Sequence, residues 1–487
     1  MRFFEVLRGV GVVNAAIDDA EISHIEADSR RVGPGGLFVC LRGINADGHG
    51  FIGKAAAAGA AAILCENVPP DAPEGPVYAV CEDTRGALAQ VAKNFYGDPH
   101  RLKLVGVTGT KGKTSVTHFI HAIFQSAGIK SGLIGTNGAF VGSEAIDIPY
   151  QTSSTPDIIE LYRIFAHMAG AGASHAVMEA TSHGLVQRRM EGITFDLGAF
   201  TNISHDHLDY HKTFENYIRA KALLFGRSRR SLINRDDANA ASMAENAAGP
   251  VVYFGIGRVN GHTDGYFAEN VELMADGIRF VVKIRGKTHR MAMKIPGRFS
   301  VYNALAALGA AAEMGVDPDD IAAGLLAVDG VPGRFERIDN GKGLCVIVDY
   351  AHSPDALENI ISAVREFTTG RVITLFGCGG DRDAAKRPVM GEIAGRLSDF
   401  CVVSSDNPRN EDQMAIITEI LPGLDKTGTK YRIEPERGAA IEAAITMARP
   451  GDSVIIAGKG HEPYQEFENR RREVFDDRAE ARRVLGC

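Results

Sequence analysis

The sequence predicts an α/β protein of about three domains. Three observations predict it. Apolar strand-like runs alternate with helical periodicity along the chain; a strand, a glycine turn and a helix follow one another at residues 104–117, LVGVTGTKGKTSVT; and 487 residues exceed one core at roughly 150 residues per domain.

In 1–99, short strands alternate with alanine-rich helices. Residues 33–36 form a glycine turn, 37–41 an apolar strand, 48–50 a second turn and 52–59 a helix. Ser29 and Arg30 sit where a strand runs into a glycine turn. That position suits contact with a ligand's phosphate or sugar, and suits capping the turn equally well. VPPDAPEGP at 68–76 is a loop, because strand-like 77–80 follows, and YGDPH at 96–100 is the better domain boundary.

From 101 to 333 the chain holds most of the chemistry. Leu104, Val105 and Val107 mark a buried strand, Gly109 and Gly112 turn the chain, and Val116, Phe119, Ile120, Ile123 and Phe124 recur at helical spacing until Gly128. This is a phosphate cradle. Glycines let backbone N–H groups converge on an anion, the helix N-terminus faces it, Lys113 adds a mobile charge, and Thr114 is placed to ligate Mg2+. A GxxxxGKS/T loop needs glycine at 107, where Val107 stands, which sets the chain apart from ordinary kinases and GTPases.

At 151–157, QTSSTPD, hydroxyls precede a helix expected to begin near Pro156, so Thr155 suits an N-cap and Ser154 a substrate contact. The strand 176–178 delivers Glu179 to its end. Ligands collect there in parallel sheets, and a carboxylate near a phosphate loop suits a second Mg2+ position. Strand 197–200 leads into TNISHDHLDYHKTF, whose histidines at i, i+2 and i+6 match no closed zinc site. His207 is read instead as a ligand of nucleotide-associated Mg2+, with Asp206 and Asp209 holding the turn. Lys221, amid apolar neighbours in YIRAKALLF, is by periodicity a snorkelling lysine, although a buried one would have a readily lowered pKa. Strand patterns fill 251–295, an alanine-rich helix carries Asn303, and VPGRFERI closes the block.

From about Arg334, apolar strands at 345–348, 372–376, 401–403 and 453–456 alternate with helical runs such as 356–367, the pattern of a mostly parallel sheet wrapped by helices. Each strand ends in a polar or glycine-rich loop. Asp349, His352, Arg382, Asp406, Asn407, Arg409, Lys459 and Glu462 are therefore expected to face one crevice. Two arginines, an amide and carboxylates suit a zwitterionic amino acid.

Composition narrows the possibilities. Lys plus Arg number 53 against 61 Asp plus Glu, a net charge of −8, which argues against a general nucleic-acid binder. No apolar run of membrane-spanning length occurs and MRFFEVLRG lacks a cleavable signal pattern, so a cytoplasmic protein without a membrane partner is expected. Cys40, Cys65, Cys81, Cys345, Cys378, Cys401 and Cys487 are dispersed without a CxxC pair, supporting neither a disulfide frame nor a zinc site.

Taken in order, TGTKGKT, EATSHGL, NISHDHLDYH, RAKALLF, PGRF with Asn303, DYAHSPD, DNPR and GKGHE resemble the Mur ligase family across nearly the whole chain. The resemblance implies three domains. Residues 1–99 would bind the UDP substrate; 100–333 would be a central P-loop-type ATPase with a mainly parallel sheet; 334–487 would be an open Rossmann-like domain for the incoming amino acid. It implies an ATP-dependent ligase that uses Mg2+ and adds meso-diaminopimelate to a UDP-N-acetylmuramoyl-dipeptide through an acyl phosphate in peptidoglycan precursor synthesis, and a monomer is expected.

By the same resemblance Lys113, Glu179, His207 and Lys221 carry the catalysis, with Thr114, Glu179 and His207 as Mg2+ ligands. Gly109, Thr110, Lys111, Gly112, Lys113 and Thr114 hold ATP phosphates, with Asn303 near the adenine. Ala27 and Ser29 contact the UDP-sugar; Ser154, Thr155, Thr181, Gln187 and Arg189 hold the muramoyl-dipeptide. Arg382, Asp406, Asn407, Pro408, Arg409, Gly458 and Glu462 read diaminopimelate, Arg409 through the carboxylate that lysine lacks. Lys221 corresponds to a lysine carried as a carbamate (N6-carboxylysine), which overturns the periodicity reading. Ser153 to Thr155 replace a more usual double threonine and Thr181 a common serine, both keeping a hydroxyl. Folylpolyglutamate synthetase shares the ATPase chemistry but has no evident use for residues 1–99 or DNPR. The shifted loop glycine speaks against a P-loop kinase, and a non-enzymatic nucleotide-binding module leaves the strand-end cluster from Asp349 to Glu462 unexplained.

Overall fold

The computed structural model describes residues 1–13, 19–43, 46–148, 154–257, 265–274 and 276–487. Ser153 and the start of QTSSTPD therefore lie outside the described residues. The chain forms two compact units, Met1–Phe254 with Gly309–Val316, and Gly255–Leu308 with Asp317–Cys487.

The first unit contains two sheets. His24–Glu26, Gly36–Val39, Ala60–Cys65 and Val77–Val80 lie in sequence order, all parallel, with the helix Ile52–Ala57 crossing between the second and third. The larger sheet runs Val251–Ile256, Ser231–Asn234, Leu197–Phe200, Lys103–Thr108, His175–Glu179, Ser131–Gly135, Gly138–Val141 and Glu144–Ala145. Pairing is parallel as far as Ser131–Gly135 and antiparallel beyond it. The inner strands are buried on both faces, which explains why they read as unbroken apolar runs.

One hydrophobic cluster runs through both sheets, from Phe3 and Val6 through Leu88 and Val91 to Tyr162, Phe165 and Phe200. The helices Thr84–Tyr96 and Ile158–Gly170 pack together within it. At its rim Arg31 meets Glu160 at 2.8 Å and Arg163 meets Glu26 at 3.4 Å.

In the second unit, Gly265–Met274, Gly277–Ile284 and Lys287–Met293 form an antiparallel meander. A six-stranded sheet follows, ordered Glu336–Ile338, Cys345–Asp349, Ser453–Ala457, Val372–Phe376, Phe400–Val403 and Tyr431–Ile433, parallel but for its first strand. Tyr464–Glu466 and Arg472–Val474 pair as a small hairpin.

Some boundaries differ from expectation. The helix expected near Pro156 begins at Ile158, because Asp157 accepts from the Ile158 N–H and serves as N-cap; the Thr155 hydroxyl is engaged elsewhere. The helix read at 356–367 is Pro354–Arg365, its proline at the first turn where no N–H is needed. Among the described residues no helix is long and apolar enough to cross a membrane.

Candidate active site

Three strands of the first unit end together. Val107 pairs with Glu179 and Thr108 with Phe200, so the loops that follow leave one edge of the sheet side by side. Gly109 to Gly112 span the gap to the helix Lys113–Ser126, and the neighbouring loop shapes them. Thr110 N donates to Asn202 O at 2.8 Å and Lys111 N to Asn202 Oδ1 at 3.0 Å, while Thr201 Oγ1 and Asn202 Nδ2 donate to Lys111 O at 2.6 and 3.1 Å.

Gly109 has a φ of +151°, and a Cβ there would overlap Thr201 Oγ1. Gly109→Ala is therefore expected to cost about 1–3 kcal/mol in backbone strain alone and to weaken binding of an ATP analogue. Titration calorimetry with melting curves checks this, and an unchanged nucleotide affinity would contradict it.

Two lysines converge on this loop. Lys113 Nζ donates to Gly109 O at 2.9 Å and Thr110 O at 3.0 Å; Lys221 Nζ donates to Gly109 O at 2.6 Å and lies over the Tyr217 ring. Lys221 is 1% exposed, so it does not snorkel, and the periodicity reading is corrected. Burial, then the charge of Lys113, hold its pKa well below the ordinary lysine value against the pull of Asp206. An amine so placed is biased toward its neutral, nucleophilic form.

Beside them a hydroxyl and carboxylate network is built. Glu179, 1% exposed, accepts from Thr114 Oγ1 at 2.9 Å and from Thr136 N at 2.8 Å; Thr136 Oγ1 meets Ser154 Oγ at 2.8 Å. Thr155 Oγ1 donates to Glu179 O and meets Thr181 Oγ1 at 2.9 Å, and Thr181 caps the short helix Ser182–Val186. Arg189 donates to Thr155 O at 2.9 Å and to Gln187 Oε1 at 2.6 Å, its pKa lowered by burial. Ser154, Thr155, Thr181, Gln187 and Arg189, scattered over 36 residues of sequence, thus form one patch.

Among the described residues no three His, Cys, Asp or Glu side chains gather to hold an ion by themselves. Thr114 and Glu179 supply two hard oxygen donors. That set suits Mg2+, which keeps most of its shell for water and phosphate oxygens.

His207 occupies the left-handed region at φ +53°, with its N–H bonded to Asp206 Oδ1, so Asp206 does hold the turn. Its ring packs edge-on against His183 at 4.9 Å and lies 6.1 Å from Tyr217, and its pKa is lowered by desolvation against the pull of Asp206. His183 is pushed down to about 4, by burial and then by His207 and His211. Asp209 contributes its carbonyl, to Lys212, rather than its carboxylate.

Elsewhere in this unit Ala27 directly follows the strand His24–Glu26, and Ser29 is buried in the next turn. Arg30 pairs with Asp28 at 2.6 Å, a turn cap of the kind its position allows. Asn303, which belongs to the second unit, is buried within the helix Arg298–Glu313.

The second unit carries its own cluster, at the carboxyl ends of its parallel strands. Asn407 Nδ2 donates to Glu462 Oε2 at 3.0 Å, Lys459 Nζ donates to Asn407 Oδ1 at 3.0 Å and Glu462 Oε2 at 3.2 Å, and Tyr350 OH donates to Glu462 Oε1 at 3.2 Å. Arg409, at φ +52°, donates from its N–H to Glu466 O and from Nη1 to Gly380 O at 2.7 Å. Asp406, Asn407 and Pro408 are buried; Asp406 Oδ2 has no hydrogen-bond partner and lies where a Cβ on Gly458, at φ +125°, would overlap it. A buried carboxylate oxygen left open is a place for a cationic ligand.

Arg382 is exposed on the glycine-rich loop and donates to Asp381 O. His352 Nδ1 lies 2.7 Å from Tyr350 O. Asp349 does not join the cluster: its carboxylate accepts from the Phe335 N–H at 2.7 Å, a backbone demand invisible in an apolar-run reading.

Two further residues of these sites escape the sequence reading. Thr136 follows an apolar strand in GTNG, which reads as an ordinary turn, although the strand-end rule that finds Glu179 applies to it. Tyr217, bonded to Thr110 and stacked under Lys221, looks like a helix core position.

Comparison with known proteins gives a consistent result. The Mur ligase family catalytic domain matches residues 21–96, the Mur ligase middle domain 107–311, and the Mur ligase glutamate ligase domain 333–460. The chain is 44% identical over 474 residues to the UDP-N-acetylmuramoyl-L-alanyl-D-glutamate–2,6-diaminopimelate ligase of Syntrophomonas wolfei, covering 96% of this chain and 95% of the relative. The protein of the same name from Clostridioides difficile is 39% identical over 491 residues, covering 100% and 99%. A solved structure of a protein of that name superposes with a TM-score of 0.70 at 31% identity over 96% of this chain and 95% of that one. Folylpolyglutamate synthase from Mycobacterium tuberculosis shares the fold, with a TM-score of 0.63 at 18% identity over 82% and 95%.

Proposed function

This chain belongs to the Mur ligase family, and we propose from that footing that it joins meso-diaminopimelate to UDP-N-acetylmuramoyl-L-alanyl-D-glutamate at the expense of ATP, a step of peptidoglycan precursor synthesis. The observation that carries the reading is near-full-length identity, 44% over 96% of the chain, to a relative whose name states that reaction. The buried strand-end cluster around Asp406–Arg409 supports it. Domain boundaries near residues 99 and 333 accord with the three stretches the family matches.

The glycine loop with Lys113 receives the ATP phosphates, and Asn303 contacts the adenine. Ala27 and Ser29 hold the UDP-sugar, while Ser154, Thr155, Thr181, Gln187 and Arg189 hold the dipeptide so that its D-glutamate γ-carboxylate faces the γ-phosphate. An oxygen of that carboxylate bonds to phosphorus as the β,γ P–O bond breaks, giving an acyl phosphate and ADP, and Lys113 spreads the developing charge. Thr114, Glu179 and His207 hold Mg2+, which when bound supplies neutralisation of the phosphate oxygens.

Lys221, its pKa lowered by burial and by Lys113, is carried as a carbamate, which places an anion beside the Lys113 ammonium. In the last domain Asp406, Asn407, Pro408, Arg409, Gly458 and Glu462, with Arg382, capture diaminopimelate; carboxylates bind its ammonium groups and guanidinium forks its carboxylates. Its free amine attacks the acyl carbon, loses a proton and expels phosphate. The enzyme acts in the cytoplasm as a monomer, apart from membrane and nucleic acid; the acidic net charge supports the last of these.

The test is release of phosphate from ATP. It is expected only when the UDP-muramoyl-dipeptide and diaminopimelate are both present; release driven by a folate and glutamate would overturn the assignment.

A further inference from the structure

The second unit's best-buried ion pair sits directly behind the diaminopimelate cluster, and we propose that Arg437 is a positioning residue that sets the width of that site. The inference rests on the reading above. Arg437 and Asp477 both have fully buried side chains. Arg437 opens the helix Arg437–Thr446 and Asp477 the helix Asp477–Leu485. The guanidinium grips Asp477 with both prongs, Nε to Oδ1 and Nη2 to Oδ2, each at 2.7 Å.

Its remaining donors do something a stability pair does not require. Nη1 donates to Ser405 O and Nη2 to Ala457 O, both at 3.1 Å. Ser405 precedes Asp406 and Ala457 precedes Gly458. These two carbonyls leave strands that are not neighbours, because Val372–Phe376 lies between Ser453–Ala457 and Phe400–Val403. Strands two apart in a sheet are about 9–10 Å from each other, beyond reach of direct backbone hydrogen bonds. One planar, multiply donating side chain bridges the two carbonyls from behind the strands, and Asp477 fixes the plane in which it does so.

Just beyond the two anchored carbonyls, Gly458 Cα faces the open Asp406 Oδ2 so closely that a methyl group would not fit. Arg437 therefore fixes the separation of the Asp406–Arg409 loop from the Gly458–Glu462 loop, and with it the fit of the amino acid. Lysine can keep the charge opposite Asp477 but has a single nitrogen and cannot also hold both carbonyls.

In the full-length enzyme, Arg437→Lys is expected to raise KM for diaminopimelate at least tenfold while leaving KM for ATP and for the UDP-muramoyl-dipeptide within twofold. Asp477→Asn, which frees the fork without removing it, reads the same quantity and is expected to move it the same way. Arg371→Lys is the control, since Arg371 pairs with Asp452 at 2.7 Å at the opposite, amino edge of the same sheet. It is expected to lower the melting temperature without the selective KM change. A diaminopimelate KM within twofold of the parent in folded Arg437→Lys or Asp477→Asn, or the same selective rise in the control, overturns the inference. Failure of the parent enzyme to use diaminopimelate overturns the functional reading instead.

Discussion

Lys113→Ala is expected to lower kcat about 100- to 1,000-fold, the loss typical when one preorganised charge-stabilising donor is removed from a transition state. The fold should tolerate the change. Lys113 bonds its own loop, at Gly109 O and Thr110 O, and Lys221 also donates to Gly109 O. Removing Lys113 also removes one of the influences that hold the Lys221 pKa down. Steady-state phosphate release beside a thermal melt checks both halves; a kcat within tenfold of the parent would remove Lys113 from the charge-stabilising role.

The second large effect concerns specificity. Arg409→Ala should lower kcat/KM for diaminopimelate by about 30- to 4,000-fold, the range for losing a buried charged contact of about 2–5 kcal/mol, with ATP binding preserved. The backbone complicates the reading, because Arg409 sits at φ +52°, where alanine carries strain and glycine does not. Arg409→Gly is thus the matched control, and both variants should lose diaminopimelate use alike. If glycine restores it, Arg409 serves the loop and not the ligand.

Much of this is legible in the sequence because strand ends are legible. Apolar runs such as 197–200 match the strand Leu197–Phe200, and the polar residue after each run lands at the working edge of a parallel sheet; Glu179, Asp406 and Glu462 stand out that way. Periodicity misreads Lys221 because helical spacing says which face is buried but not what waits there, in this case the Gly109 carbonyl. Asp349 fails for a related reason: its carboxylate is recruited by the Phe335 amide, 14 residues earlier in the chain. Arg437 leaves no trace at all, since one arginine at the start of an alanine-rich helix looks like any solvent-facing charge until its partner, 40 residues on, is placed.

The continuous apolar cluster from Phe3 to Phe200 bears on how the protein can be handled. Trimming the chain to begin at Lys103 would strip Leu88 and Val91 from the core and leave the helix Ile158–Gly170 greasy on one side, with Glu160 and Arg163 bereft of their counter-charges. Such a fragment is a candidate for clumping rather than a minimal ATPase. The two sheets of this unit thus share one core, and exchanging either between relatives means exchanging the seam as well.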